Sequence, residues 1–292
     1  MQKWVKLYFK GMAMGAADVV PGVSGGTVAF MTGIYKELVT TLASLSPSLL
    51  KILFKEGFAA TWQRINATFL AVLGAGIVTS IVLFANIIKS LLAHYPTLIW
   101  SLFFGLIIAA AIILLKSVTH WRASYIFLIA LGGGISFGIT KLSPHTMQFA
   151  GGADYLWLLP LGAIACCAMI LPGISGSFLL LLMGMYQPLL EAVADRNLLF
   201  LATFSVGGAS GIILFSRLLK GLLAHWYSPT LAFLVGVMLG ALDKIWPFKD
   251  ADGLSILPEN LAEATSSSLL LLLGFFVAIY IGSQNKGTSK ES

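Results

Sequence analysis

From Tyr155 to Leu190 the chain runs for 36 residues without a charged side chain. As a helix rising about 1.5 Å per residue it would reach roughly 54 Å, far more than the ~30 Å of bilayer hydrocarbon that one crossing needs. Near its middle stand Pro172 and Gly173. Proline removes a backbone donor and glycine tolerates irregular backbone, so the helix breaks there. A re-entrant hairpin over about 155–190 satisfies both facts. Non-helical backbone at that depth survives only against protein or a wet cavity, because lipid cannot bond its N–H and C=O groups.

Composition leaves the bilayer as solvent, with 58% hydrophobic residues, 10% charged and a mean hydropathy of +0.92. The longest polar interval, about 244–268, is too short for a separate soluble domain. Apolar runs long enough to cross lie at about 66–88, 97–115, 123–140, 198–219, 229–246 and 266–283. A second broken region, about 11–46, carries Pro21 and Gly22. At the start, Lys3, Lys6 and Lys10 interleave with Trp4, Leu7, Tyr8 and Phe9, which suits an amphipathic interfacial helix better than a signal peptide. Cys166 and Cys167 are sequence neighbours, with neither a disulfide framework nor metal-ligand spacing.

The chain repeats itself. PGVSGGTVAFMTGIYKEL at 21–38 matches PGISGSFLLLLMGMYQPL at 172–189 without a gap, and LFANIIKSLLAHY at 83–95 matches LFSRLLKGLLAHW at 214–226. Asn66 aligns with Asn197 in the second register. The separation of the copies falls from 151 residues (21 against 172) to 131 (83 against 214), so the first copy holds about 20 extra residues between hairpin and first span.

Each half then reads as a hairpin plus three spans, and an odd number of crossings turns the second half upside down. With both termini inside, only Lys89, Lys141, Arg196, Lys244 and Lys249 of the 18 basic residues fall outside, together with eight of the 12 acids. That obeys the positive-inside rule and makes the net charge of +6 mainly topological, not a nucleic-acid signature. The expected fold is an all-α polytopic membrane protein of two inverted-topology repeats, each a re-entrant helical hairpin plus three transmembrane helices. Residues 1–145 form the first repeat, 146–284 the second and 285–292 a cytoplasmic tail. Secondary transporters use this architecture, with the site near the midplane.

The broken segments carry the chemistry. Glycine lets N–H groups converge, hydroxyls add donors, and a helix restarting after the break points its positive end at the turn, an arrangement that favours anions. The candidate phosphate ligands are Pro21, Gly22, Ser24, Gly25, Gly26 and Thr27 in the first motif, and Pro172, Gly173, Ser175, Gly176 and Ser177 in the second. The competing reading is that the glycines serve helix packing and the serines bond their own helices. Asp18, where the second copy has Met169, is either a coupling or gating group, for protons or sodium, or else the N-cap of the next helix or a partner for a nearby Lys. Glu37 is a second gating candidate, beside Lys36. Tyr35 and Tyr186 align as interfacial anchors or substrate contacts. Arg217, at the position of Asn86, either snorkels to the cytoplasmic face or binds phosphate bidentately. His94 and His225 align in short loops on opposite sides.

ADVVPGVSGGTVAF followed by TGIYKEL, with ILPGISGSFLLLLMGMY in the second half, resembles the PopT family of polyprenyl-phosphate transporters over nearly the whole chain. The resemblance implies a multi-pass protein of a bacterial cytoplasmic membrane that returns undecaprenyl phosphate, or a related carrier, from the outer to the cytoplasmic leaflet for envelope glycan synthesis. It implies no cofactor and no metal, a lipid partner within the bilayer, no nucleic acid, and leaves a homo-oligomer open. The second motif has Ser177 and Phe178 where the first has Gly26 and Thr27, so the two turns need not be equivalent.

Two other classes compete. A transporter or channel for a small anion would use the same turns. An intramembrane lipid phosphatase would need an activated nucleophile, yet His94, His120, His145 and His225 do not cluster in sequence with one. A purely structural protein would not explain two costly broken helices.

Overall fold

The first helix, α1 (Gln2–Asp18), is unbroken, and its buried Leu7, Gly11, Met14, Gly15 and Ala17 form one stripe. The expected interfacial helix and the first arm of the hairpin are therefore one element. The computed structural model describes residues 2–18, 24–46, 48–141, 152–172, 176, 179–180, 183–185, 188–189, 191–192, 195–250, 255–258 and 260–288. After the break come α2 (Gly25–Met31) and α3 (Tyr35–Ser44). Then follow α4 (Ser48–Arg64), α5 (Ala67–His94), α6 (Pro96–Leu115) and α7 (Ala123–Lys141). The second half holds α8 (Leu158–Ile170), α9 (Leu198–His225), α10 (Tyr227–Gly240) and α11 (Leu261–Thr288).

Five helices, α5, α6, α7, α9 and α11, contain stretches long and apolar enough to cross a bilayer, which makes this a multi-pass membrane protein. The sixth expected span, 229–246, is different. There α10 has 14 residues, and a 3-10 turn, Ala241–Asp243, continues it. It reaches only about 21 Å as α-helix. Its Leu231, Leu234, Val235, Val237 and Met238 are all at most 2% exposed. Protein, not lipid, encloses this helix, so its apolar run reports core burial.

Four helix pairs dominate the packing: α1 with α5, α8 with α9, α6 with α11, and α7 with α10. Small residues bring the backbones together, as close packing in a bilayer requires. A Cβ on Gly11 would strike the Leu73 carbonyl and one on Gly15 the backbone of Ile77, so contacts advance together along α1 and α5. Gly207 meets Leu159 and Gly211 meets Ala163; Gly105 meets Leu271 and Gly282 meets Ile113; Gly236 meets Ile129 and Gly240 meets Gly133. All four pairs run parallel.

The copies also share local structure. Gly33 (φ 75°) and Gly184 (φ 67°) both adopt the left-handed conformation that glycine accepts without strain. The same bond closes each turn, Ile34 N–H to the Ala29 carbonyl at 3.0 Å and Met185 N–H to Leu180 at 2.8 Å. Helices α5 and α9 each have 28 residues, begin after the aligned asparagines and end on the aligned histidines. The extra length of the first copy is α4, which leaves Phe54, Phe58 and Trp62 exposed and kinks at Gly57 (φ 84°).

Candidate functional site

Helix α2 has seven residues, too few to be stable in isolation. Helix α1 runs beside it and fixes both ends. At the start, the Asp18 carboxylate accepts from Gly25 N–H at 2.7 Å. At the finish, the Lys10 ammonium donates to the Thr32 carbonyl at 2.6 Å. An anion at the N-terminus and a cation at the C-terminus both complement the helix dipole. Ser24 is the N-cap, its hydroxyl oxygen accepting from Gly26 N–H at 3.1 Å.

That serine also reaches into the other half of the chain. Its hydroxyl donates to the carbonyl of Leu171 at 3.0 Å, one residue before Pro172. Next to it, a Cβ added to Gly26 would stand 2.7 Å from the Ile170 carbonyl. The starts of the two broken segments therefore touch, backbone against backbone, in a dry setting: Ser24 is 1% exposed and Thr27 is fully buried. The flanks of the two breaks, which the sequence reads as opposed entrances to a shared site, are in contact through Ser24 and Gly26 on one side and Ile170 and Leu171 on the other.

Among the described residues, the donors from Ser24 to Thr27 at this junction are occupied by the protein itself. Gly25 and Gly26 N–H groups go to Asp18 and Ser24, Thr27 N–H goes to the Ser24 carbonyl at 3.0 Å, and the Ser24 hydroxyl goes to Leu171. Asp18 thus accepts a bond at the start of α2, while the N-cap position that the sequence offered it is held by Ser24. Gly176 packs under α8, where a Cβ would come within 3.1 Å of the Ala165 carbonyl. The other candidates, Pro21, Gly22, Gly173, Ser175 and Ser177, lie outside the described residues, apart from Pro172 at the turn itself.

Arg217 sits elsewhere. Its guanidinium donates to the carbonyls of Ala43 at 3.3 Å and Leu45 at 2.6 Å, closing the C-terminus of α3. Glu37 accepts from the Asn66 side chain at 3.2 Å and so ties α3 to the start of α5. The aligned Asn197 caps α9 on Phe200 N–H at 3.1 Å and donates to the Tyr155 hydroxyl at 2.7 Å. The aligned histidines are not in loops as expected but are the last residues of α5 and α9, because each ring bonds the carbonyl four residues back, His94 to Ser90 and His225 to Gly221.

Two cavities flank the turn between α2 and α3 and share Gly33 and Lys36. One, of about 280 Å³, lies between Phe30, Met31, Tyr35, Leu223 and Leu231. The other, of about 500 Å³, is lined by Thr40, Thr41, Ser44, Arg64 and Asn66. Among the described residues no three His, Cys, Asp or Glu side chains converge as metal ligands.

The profile of the VCA0040-like, undecaprenyl phosphate translocase-like family matches residues 14–263, which include both broken segments. The chain belongs to that family. Similar curated proteins are the polyprenyl-phosphate transporter of Vibrio cholerae, 47% identical over 85% of this chain and 79% of the relative, and that of Staphylococcus aureus, 29% identical over 96% of each. No solved structure gives a significant match. Both relatives are transporters by name and not enzymes, which sets the lipid-phosphatase alternative aside.

Sequence reasoning missed Lys10 as a helix clamp and Leu171 as the acceptor that joins the halves. Lys10 had a usable signal, since a basic residue eight positions before Asp18 lies on nearly the same face of a helix. Leu171 had none, because its part is played by a backbone carbonyl.

Proposed function

We propose that this chain carries undecaprenyl phosphate, or a related polyprenyl phosphate, from the outer to the cytoplasmic leaflet of a bacterial inner membrane. The observation that carries the reading is the Ser24–Leu171 junction, where two copies of one motif meet inside an apolar protein. A lipid phosphate needs a polar route through hydrocarbon for its headgroup alone, because its isoprenoid tail can stay in lipid. Relatives named for that substrate match the chain along most of its length.

The halves are read as inverted repeats with both termini in the cytoplasm. Supporting this reading, α5, α6 and α7 are joined by short connections that suit alternating directions, and the parallel pairs extend the same scheme to the other helices. Helix α10 follows α7, α9 opposes α10, and α8 follows α9. Helix α1 follows α5 and so opposes α8, its repeat partner. In this scheme the two turns face opposite leaflets and their contact is the closed gate between them. The headgroup passes as the halves part, taking hydrogen bonds that Asp18 and Leu171 hold when it is shut.

The test is reconstitution in vesicles loaded with undecaprenyl phosphate in one leaflet, with leaflet exposure followed over time. Movement that requires the protein supports the proposal. Binding of the lipid with no exchange between leaflets would overturn it, and uptake of small anions indifferent to the lipid would favour the rival class. In cells, depletion should trap undecaprenyl phosphate on the outer surface.

A further inference from the structure

At the α2–α3 turn, Lys36 borders both cavities described above. Among the described residues its ammonium has no hydrogen-bond or ion-pair partner. Beside it, Tyr35 lines the 280 Å³ cavity and is 4% exposed, yet its hydroxyl has no partner among the described residues. A buried hydroxyl without a partner costs on the order of 1–3 kcal/mol and is rare in a finished core. The two cavities differ in character. The first has apolar walls from Phe30, Met31 and Leu231, whereas the second is lined by Thr40, Thr41 and Arg64, whose guanidinium pairs with Glu56 at 3.8 Å.

We propose that these joined cavities bind an amphiphilic phosphomonoester, with Lys36 holding the phosphate and the Phe30–Leu231 cavity receiving the apolar carbons next to it. This rests on the transport reading above and places the site at its cytoplasmic end. Among the described residues Glu37 is the one carboxylate lining the second cavity. Its carboxylate accepts from the Asn66 amide, and Arg64 in the same groove pairs with Glu56, so among the described residues Lys36 is the lining cation without a partner there. The repeat sharpens the argument. Gln187 stands where Lys36 does and Pro188 where Glu37 does, so the second hairpin has no cation at this place. The site belongs to one end of the path, and the two ends differ in their grip on a phosphate.

The experiment uses the full chain in nanodiscs and measures binding of undecaprenyl phosphate, undecaprenol and inorganic phosphate to the wild type, Lys36→Gln and Lys36→Arg. Expected is a preference for undecaprenyl phosphate over undecaprenol that falls roughly tenfold in Lys36→Gln and is kept in Lys36→Arg, as for loss of one charge-assisted contact. Thermal unfolding of the same samples checks that the fold is unchanged, which suits an exposed side chain. If the wild type keeps the preference and Lys36→Gln keeps it equally, the site is wrong and the transport reading stands. Lys36→Arg losing as much as Lys36→Gln also overturns it, because charge would not be the cause. Inorganic phosphate binding as tightly as the lipid, and in a Lys36-dependent way, would assign the site to free phosphate and overturn the lipid assignment. A wild type with no preference for undecaprenyl phosphate over undecaprenol would sink the transport reading itself.

Discussion

Ser24 and Leu171, 147 residues apart, are joined by a 3.0 Å hydrogen bond from the serine hydroxyl to the leucine carbonyl. The same hydroxyl oxygen caps α2, so one small side chain both starts a helix and fastens two halves of the chain. Ser24→Ala leaves Gly26 N–H and the Leu171 carbonyl unpaired at a buried site. The expected loss is about 1–3 kcal/mol of stability, read as a lower midpoint of unfolding in detergent or nanodiscs. Transport by this variant should fall as well, since the contact between the turns is weakened.

Gly26→Ala attacks the same junction from the steric side. The new methyl would sit 2.7 Å from the Ile170 carbonyl, and neither partner is a flexible side-chain end that could swing away. Overpacking of this kind costs about 1–3 kcal/mol. Loss of transport in reconstituted vesicles is expected. Gly74→Ala in α5 is the control, because nothing lies within 4 Å of its added methyl and alanine favours helix. That variant should be as stable as the parent or slightly more so.

How far the sequence discloses this arrangement depends on whether the signal is local. The Gly33 and Gly184 turns are legible, because a left-handed residue needs glycine and both copies supply it at the matched place. The starts of α5 and α9 after the aligned Asn66 and Asn197 are legible as well, but their ends are not, since the spans expected to stop near 88 and 219 run on to His94 and His225. Helix α10 is not, since a hydropathy window cannot separate apolar residues that face lipid from those that face other helices. The junction is half legible. Ser24 announces itself as a cap, but its acceptor is main chain, and backbone partners leave no mark on residue identity.

Asp18 accepts a bond at the start of α2 through one oxygen, and an asparagine carbonyl can accept the same bond from Gly25. Asp18→Asn should therefore lose only the charge–dipole part, about 0.3–1 kcal/mol, and keep most of the transport rate. Asp18→Ala loses the acceptor too and should be less stable than the asparagine variant. Transport abolished in Asp18→Asn with stability intact would instead make the carboxylate a coupling group.

Arg217 spends its guanidinium on the last carbonyls of α3. Arg217→Met removes both bonds and a cation from a helix C-terminus, with an expected cost of about 1–2 kcal/mol. Binding of undecaprenyl phosphate to the folded variant should be unchanged within a factor of about two, against a tenfold scale per 1.4 kcal/mol. A selective loss of lipid binding without loss of stability would return Arg217 to the substrate path.

The relative direction of the halves can be read with chemical labels. Tyr95 links α5 to α6 and Trp226 links α9 to α10, and both side chains are more than half exposed, at 57% and 63%. They occupy matched places in the two copies. If the copies had the same orientation, the two positions would be reached from one side of the membrane. With inverted copies they are reached from opposite sides. In a chain whose Cys166 and Cys167 are replaced by alanine, Tyr95→Cys should react with an impermeant maleimide applied outside. Trp226→Cys should react only after the membrane is opened. Labelling of both from the same side would remove the inverted arrangement, and with it the opposed turns that the transport mechanism needs.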